Sequence, residues 1–87
     1  MFVKIYGRMT CPYCVRAKNL AEKLKNNLDN FDYEFIDMIE LGMSKEDIAE
    51  IINRPVQTVP QVVIDDQPIG GCTDFQAYSK QHFAIEI

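Results

Sequence analysis

The 87-residue chain has no tryptophan, a single histidine (His82), and only nine Lys and Arg against thirteen Asp and Glu. The formal charge of −4 argues against a partner held by its phosphate backbone, since nucleic-acid binding is supported by a positive footprint. No apolar run approaches the ~20 residues that span a bilayer. The N-terminal Met1-Phe2-Val3-Lys4-Ile5-Tyr6 is not a charged leader followed by an apolar stretch of signal length. These absences imply a cytoplasmic protein with neither nucleic acid nor membrane as partner. Cysteine is scarce and odd in number: Cys11, Cys14 and Cys72. A secreted disulfide framework more often shows an even number spread along the chain. The length leaves no room for a second core, so one domain over residues 1–87 is expected.

What is present is strongly patterned. Phe2 to Tyr6 alternates in β-forming residues and stops at Gly7, which predicts a first strand. Beyond a Cys11–Cys14 loop, Ala17, Leu20, Ala21, Leu24 and Leu28 recur at spacings of three and four and place one apolar stripe on a helix. Asn26, Asn27, Asp29 and Asn30 end it, and Phe31 to Asp37 alternates again as a second strand. Ser44 with Asp47 three residues on predicts the cap of a short helix. Ile48, Ile51 and Ile52 should form its buried face, with Pro55 just beyond. Gln61 to Ile64 and Gln67 to Ile69 form a hairpin around Asp65-Asp66. After Gly70-Gly71, Thr73 or Asp74 caps a last helix carrying Phe75, Tyr78 and Phe83. The order β-α-β-α-β-β-α implies an α/β fold: a right-handed parallel crossover followed by an antiparallel hairpin, giving a four-stranded mixed sheet with helices on both faces.

Chemistry concentrates at Cys11-Pro12-Tyr13-Cys14. Only a thiolate attacks a disulfide, so a redox catalyst must lower the pKa of its nucleophile. Cys11 falls where strand gives way to helix, facing free N–H groups and the positive end of the helix dipole. Pro12 suits a first helical turn. Arg8, Arg16 and Lys18 add positive charge nearby. Cys14 lies one turn on, within reach of a disulfide and less exposed. Cys11 is thus the candidate attacking thiol and Cys14 the resolving one. A structural zinc site would need two such pairs, or a pair plus histidines, and only Cys72 and His82 remain. Redox chemistry is the reading carried forward, with metal binding or inert packing as the alternatives. Tyr13, between the cysteines, is expected to be exposed for contact with a partner.

Two further segments carry both a plain and a functional reading. Pro60 in Thr58-Val59-Pro60 belongs at the start of a strand because it cannot donate to a ladder. Alternatively, a cis Val59–Pro60 bond turns the Val59 backbone toward the thiols. Gly70-Gly71-Cys72-Thr73-Asp74 is a turn and helix cap whose N–H donors also suit a ligand carboxylate, while Asp74 suits a ligand amine. Cys72 reads as a small semi-buried residue, and His82 as a flank of the last helix.

These residues together resemble the glutaredoxins, in particular the small bacterial dithiol form. The likeness runs through Cys11-Pro12-Tyr13-Cys14-Val15-Arg16-Ala17-Lys18, Thr58-Val59-Pro60-Gln61 and Gly70-Gly71-Cys72-Thr73-Asp74-Phe75. It implies a thioredoxin fold with Pro60 in cis. It also implies a monomeric glutathione-dependent disulfide oxidoreductase with no tightly bound cofactor and no metal. Glutathione would be the co-substrate, with Tyr13, Thr58, Val59, Thr73 and Asp74 lining its groove. Arg8, with Gln57, would serve the glycine carboxylate. Glutathionylated or disulfide-containing proteins are the implied partners, ribonucleotide reductase among them. Cys72 departs from the aromatic common at that position. Rival readings are a cluster-binding protein, which Pro12 disfavours, and a thioredoxin proper.

Overall fold

The computed structural model describes residues 1–84; the last three residues of the expected 1–87 domain lie outside that range. Its elements run β1 (Phe2–Gly7), α1 (Pro12–Asn27), β2 (Asp32–Asp37), α2 (Lys45–Ile52), β3 (Gln61–Ile64), β4 (Gln67–Gly70) and α3 (Cys72–Phe83). They assemble into one mixed sheet of order β2-β1-β3-β4. β1 runs parallel to β2, from Phe2 opposite Asp32 to Gly7 opposite Asp37. β3 is antiparallel to both β1 and β4. The predicted thioredoxin-type architecture is therefore the one found.

Strand alternation divides the core between two faces of the sheet. Val3, Ile5, Val62 and Ile64 point to one face, where Ala17, Leu20, Ala21 and Leu24 of α1 and Phe75 of α3 cover them. Tyr6 and Val63 point to the other and meet Ile48 and Ile52 of α2 together with Met38. Burying each such large aliphatic side chain contributes roughly 1.5–3 kcal/mol, so the α1/α3 face is the main anchor. Val3 and Ile5 of β1 and Ala17, Leu20, Ala21 and Leu24 of α1 are all wholly buried. That fixes the carboxyl end of β1 and the start of α1 as a rigid corner.

The turns follow their residue chemistry. Asp65 and Asp66 both take positive φ (46° and 69°), as a two-residue hairpin of primed type demands. The Asp65 carboxylate also accepts the Phe2 N–H at 2.8 Å, tying the hairpin to β1. Ser44 and Asp47 form the predicted reciprocal cap, with the Ser44 hydroxyl accepting the Asp47 N–H at 3.1 Å and the Asp47 carboxylate accepting the Ser44 N–H at 2.9 Å.

Three expectations need correction. The Cys11–Cys14 segment is not a loop: Cys11 is the N-cap and the helix begins at Pro12, so Tyr13 and Cys14 already stand in its first turn. Ile51 does not join the buried face of α2 but is 57% exposed. A two-turn helix packs only its i, i+4 pair, here Ile48 and Ile52, against the sheet. Finally, α3 is capped by Gly71 rather than by Thr73 or Asp74. Asp74 instead reaches back from the first turn, its carboxylate accepting the Gly71 N–H at 3.0 Å.

Candidate active site

The rigid corner between β1 and α1 presents Cys11. The residue has extended backbone (φ −97°, ψ 121°) and ends the strand-to-helix turn, with its N–H donating to the Arg8 carbonyl at 3.2 Å and its carbonyl accepting from Val15 at 3.1 Å. Pro12 follows at the first helical position, and the first turn holds no acidic side chain. The N–H groups of that turn are therefore available to the Cys11 sulfur. Cys11 is half-buried, Cys14 is fully buried, and all three cysteines are free thiols.

The electrostatics of the pair are opposite. For Cys11 the largest single influence is partial burial, which opposes ionisation. It is outweighed by the Cys14 N–H and thiol, the Tyr13 N–H and the Arg8 charge, so the Cys11 thiol is held below its ordinary value. Cys14 is pushed up to about 11, chiefly by burial and further by its bond to the Cys11 sulfur and the charge there; the Arg8 backbone N–H works the other way. The arrangement sets a half-buried thiol that ionises more readily than usual in front of a buried thiol that resists ionisation. Of the three cations expected to favour the thiolate, only Arg8 acts on Cys11. The Arg16 guanidinium instead sits 5.5 Å from the centroid of the Tyr13 ring and acts on Cys72. Lys18 exerts no such effect on any of the three thiols.

Gly7 makes the packing of Cys14 possible. A Cβ at Gly7 would lie 2.6 Å from the Cys14 sulfur and 3.1 Å from its Cβ, so only glycine lets α1 settle this closely on β1. Gly7 ends an alternating run as a strand stop does, but a glycine at a strand position also signals close approach, and that is its role here.

Beside the thiols lies a groove of about 340 Å³ lined by Tyr13, Thr58, Val59, Pro60, Gly71, Cys72, Thr73 and Asp74. Three distant chain segments thus converge: the first turn of α1, the bend before β3, and the start of α3. The Val59–Pro60 bond is cis, and the Val59 carbonyl oxygen stands 3.8 Å from the Cys11 sulfur. Tyr13 is 56% exposed and forms one wall. Arg8 and Gln57 are not among the lining residues. Gly70 has φ of 119°, and a Cβ there would collide with the Asp74 carboxylate, so the Gly70-Gly71 pair shapes the far end of the groove. Cys72, only 5% exposed, spans core and groove. Its thiol is raised above the ordinary value by burial and by the Cys11 charge, against the pull of Arg16. His82 lies outside the site, stacked on Tyr78 at 3.9 Å. Among the described residues no three His, Cys, Asp or Glu side chains gather as a metal-holding group. No described helix is long and apolar enough to cross a membrane.

Comparison with known proteins places this geometry. The glutaredoxin family model matches residues 3–69. The chain is 58% identical over 85 residues to a glutaredoxin of Haemophilus influenzae, covering 98% of each. It is 53% identical over 78 residues to glutaredoxin 1 of Escherichia coli K12, covering 90% of this chain and 92% of that one. The solved structure of reduced Escherichia coli glutaredoxin superposes with a TM-score of 0.86 at 49% identity, over 98% of this chain and all of that one. A dithiol split into a half-buried, more acidic thiol and a buried, less acidic one, on this sheet and with these relatives, leads to one assignment: the chain belongs to the glutaredoxin family of thiol–disulfide oxidoreductases.

Proposed function

We propose that the protein is a glutathione-dependent reductase of protein disulfides and glutathione mixed disulfides, acting through Cys11 and Cys14. The observation that carries the reading is a pair of adjacent thiols with opposite settings, Cys11 held below and Cys14 above the ordinary value, beside a groove with backbone and side-chain donors. The Cys11 thiolate attacks the glutathione sulfur of a glutathionylated protein. The protein leaves as a thiolate and takes up a proton, and Cys11 carries the glutathionyl group. The thiolate of a second glutathione attacks that group's sulfur, releasing glutathione disulfide and the Cys11 thiolate.

With a protein disulfide, Cys11 forms the mixed disulfide and Cys14 must then resolve it. Part of what holds the Cys14 proton is the neighbouring Cys11 charge, and that charge vanishes once Cys11 is bonded. The first step therefore lowers the barrier to the second. Cys14 attacks the Cys11 sulfur, the substrate leaves as a thiol, and two glutathiones reduce the Cys11–Cys14 disulfide.

Thr58 and Val59 would pair with the cysteinyl portion of glutathione, with Tyr13 alongside the peptide. Thr73 and Asp74 would receive the γ-glutamyl end, where the open N–H groups of α3 favour a carboxylate; Arg8 would serve the glycine end from outside the groove. We assign the activity to a monomeric, single-domain protein of the cytoplasm, without a resident cofactor or metal, and name ribonucleotide reductase as a candidate protein substrate.

The test is a glutathione-coupled assay on wild type, Cys11→Ser and Cys14→Ser. Cys14→Ser should retain activity on a glutathionylated peptide and lose it on a protein disulfide, while Cys11→Ser loses both. Wild-type turnover independent of glutathione would refute the reading.

A further inference from the structure

The three cations that the sequence clusters around the thiols divide in the fold. Arg8 acts on Cys11 and Cys14. Arg16 is exposed and faces elsewhere: its guanidinium lies 5.5 Å over the Tyr13 ring, and its charge reaches Cys72. Tyr13 and Cys72 are two walls of the same groove, one on α1 and one on α3. The reaction scheme above leaves this cation without a task.

The γ-glutamyl end of the groove does call for one. It is bounded by Cys72, Thr73 and Asp74 at the start of a twelve-residue helix. The open N–H groups there attract a carboxylate. The Asp74 side chain, held in place by the Gly71 N–H, repels one. A zwitterionic γ-glutamyl group satisfies Asp74 with its ammonium, and its carboxylate then needs a positive counterpart that Asp74 does not cancel. We propose that Arg16 is that counterpart: from its seat on Tyr13 it positions the γ-glutamyl carboxylate of glutathione against the N-terminus of α3. This inference rests on the glutathione reading above and adds a specificity-determining residue to it. The planar guanidinium suits the task, since it stacks on an aromatic face while its edge donates to a carboxylate.

The test compares one peptide capped by three mixed disulfides: with glutathione, with cysteinylglycine, which lacks the γ-glutamyl group, and with cysteamine. Arg16→Gln should raise KM for the glutathione-capped peptide about fivefold, the scale of a charge contact at a solvent-facing rim, with kcat unchanged. The penalty should be absent for the cysteinylglycine cap and partly restored by Arg16→Lys. Lys45→Gln, which removes the same charge at the start of α2, should leave every KM as it is. An equal rise for both caps would mean that Arg16 only supports Tyr13, and no rise would mean that it touches no ligand; either overturns the proposal. If wild type fails to distinguish the glutathione cap from cysteamine, the glutathione reading itself falls, and this inference with it.

Discussion

Replacing Gly7 by alanine is a sharp probe of how the fold sets the chemistry. The added Cβ would meet the Cys14 sulfur at 2.6 Å, with Phe35 at 3.6 Å closing the other side. Non-bonded heavy atoms rest about 3.5–4.0 Å apart, so the overlap is ~1 Å. Neither partner yields easily, because Cys14 is fully buried on α1 and Gly7 is paired along β1. Overpacking of this kind costs about 1–3 kcal/mol. Gly7 does not have positive φ, so alanine also recovers about 0.4–1 kcal/mol of unfolded-state entropy. The net loss of ~1–2 kcal/mol lowers Tm by about 5–15 °C in a domain of this size, read by thermal denaturation. The displaced Cys14 thiol should also support the Cys11 thiolate less well, moving the pH midpoint of Cys11 alkylation upward. In a Cys14→Ala background the sulfur is gone and the 3.1 Å contact to Cβ is the tightest that remains, so the same substitution should cost less. An unchanged Tm with an unchanged Cys11 midpoint would refute the packing argument, as would equal costs in the two backgrounds.

Two further outcomes follow from the thiols and the α3 cap. Alkylation followed by mass spectrometry across pH should label Cys11 with a midpoint below the ordinary 9.0, and Cys14 only at higher pH than Cys11. Linkage gives the matching signs: Cys11, depressed in the fold, adds stability as pH rises toward 9. Cys14, raised in the fold, subtracts it between about 9 and 11, where the unfolded chain ionises first. A single shared midpoint would contradict the opposite settings of the pair. Asp74→Ala should remove the acceptor for the Gly71 N–H and lower stability by ~1 kcal/mol, while also raising KM for a glutathionylated peptide. A stability loss with no KM change would confine Asp74 to the cap.

Much of this molecule is legible in its sequence because the local signals agree. The alternation in Phe2–Tyr6 and the 3–4 spacing from Ala17 to Leu24 each point to the face on which those residues are found. Likewise the Ser44–Asp47 box marks the start of α2 as it stands. What was hidden depends on contact between elements. Ile51 carries the right residue type for a core, and only the shortness of α2 against the sheet leaves it exposed. The true cap of α3 was obscured because Gly71 has no side chain to advertise it; an acid three residues after a glycine was the available clue. Spacing brought Arg8, Arg16 and Lys18 together, whereas Arg8 stands in the turn before α1 and the helix sends Arg16 and Lys18 in different directions. The groove itself joins residues more than forty positions apart, which only the family likeness, and not periodicity, could connect.

The central claim is that Cys11 alone receives the glutathionyl group, with Cys14 protonated behind it and Cys72 shielded beside it. Cys14→Ser incubated at neutral pH with glutathione disulfide and digested for mass spectrometry tests this directly. A single glutathionyl adduct, on Cys11, is the expected result. An adduct on Cys72, or none on Cys11, would contradict it.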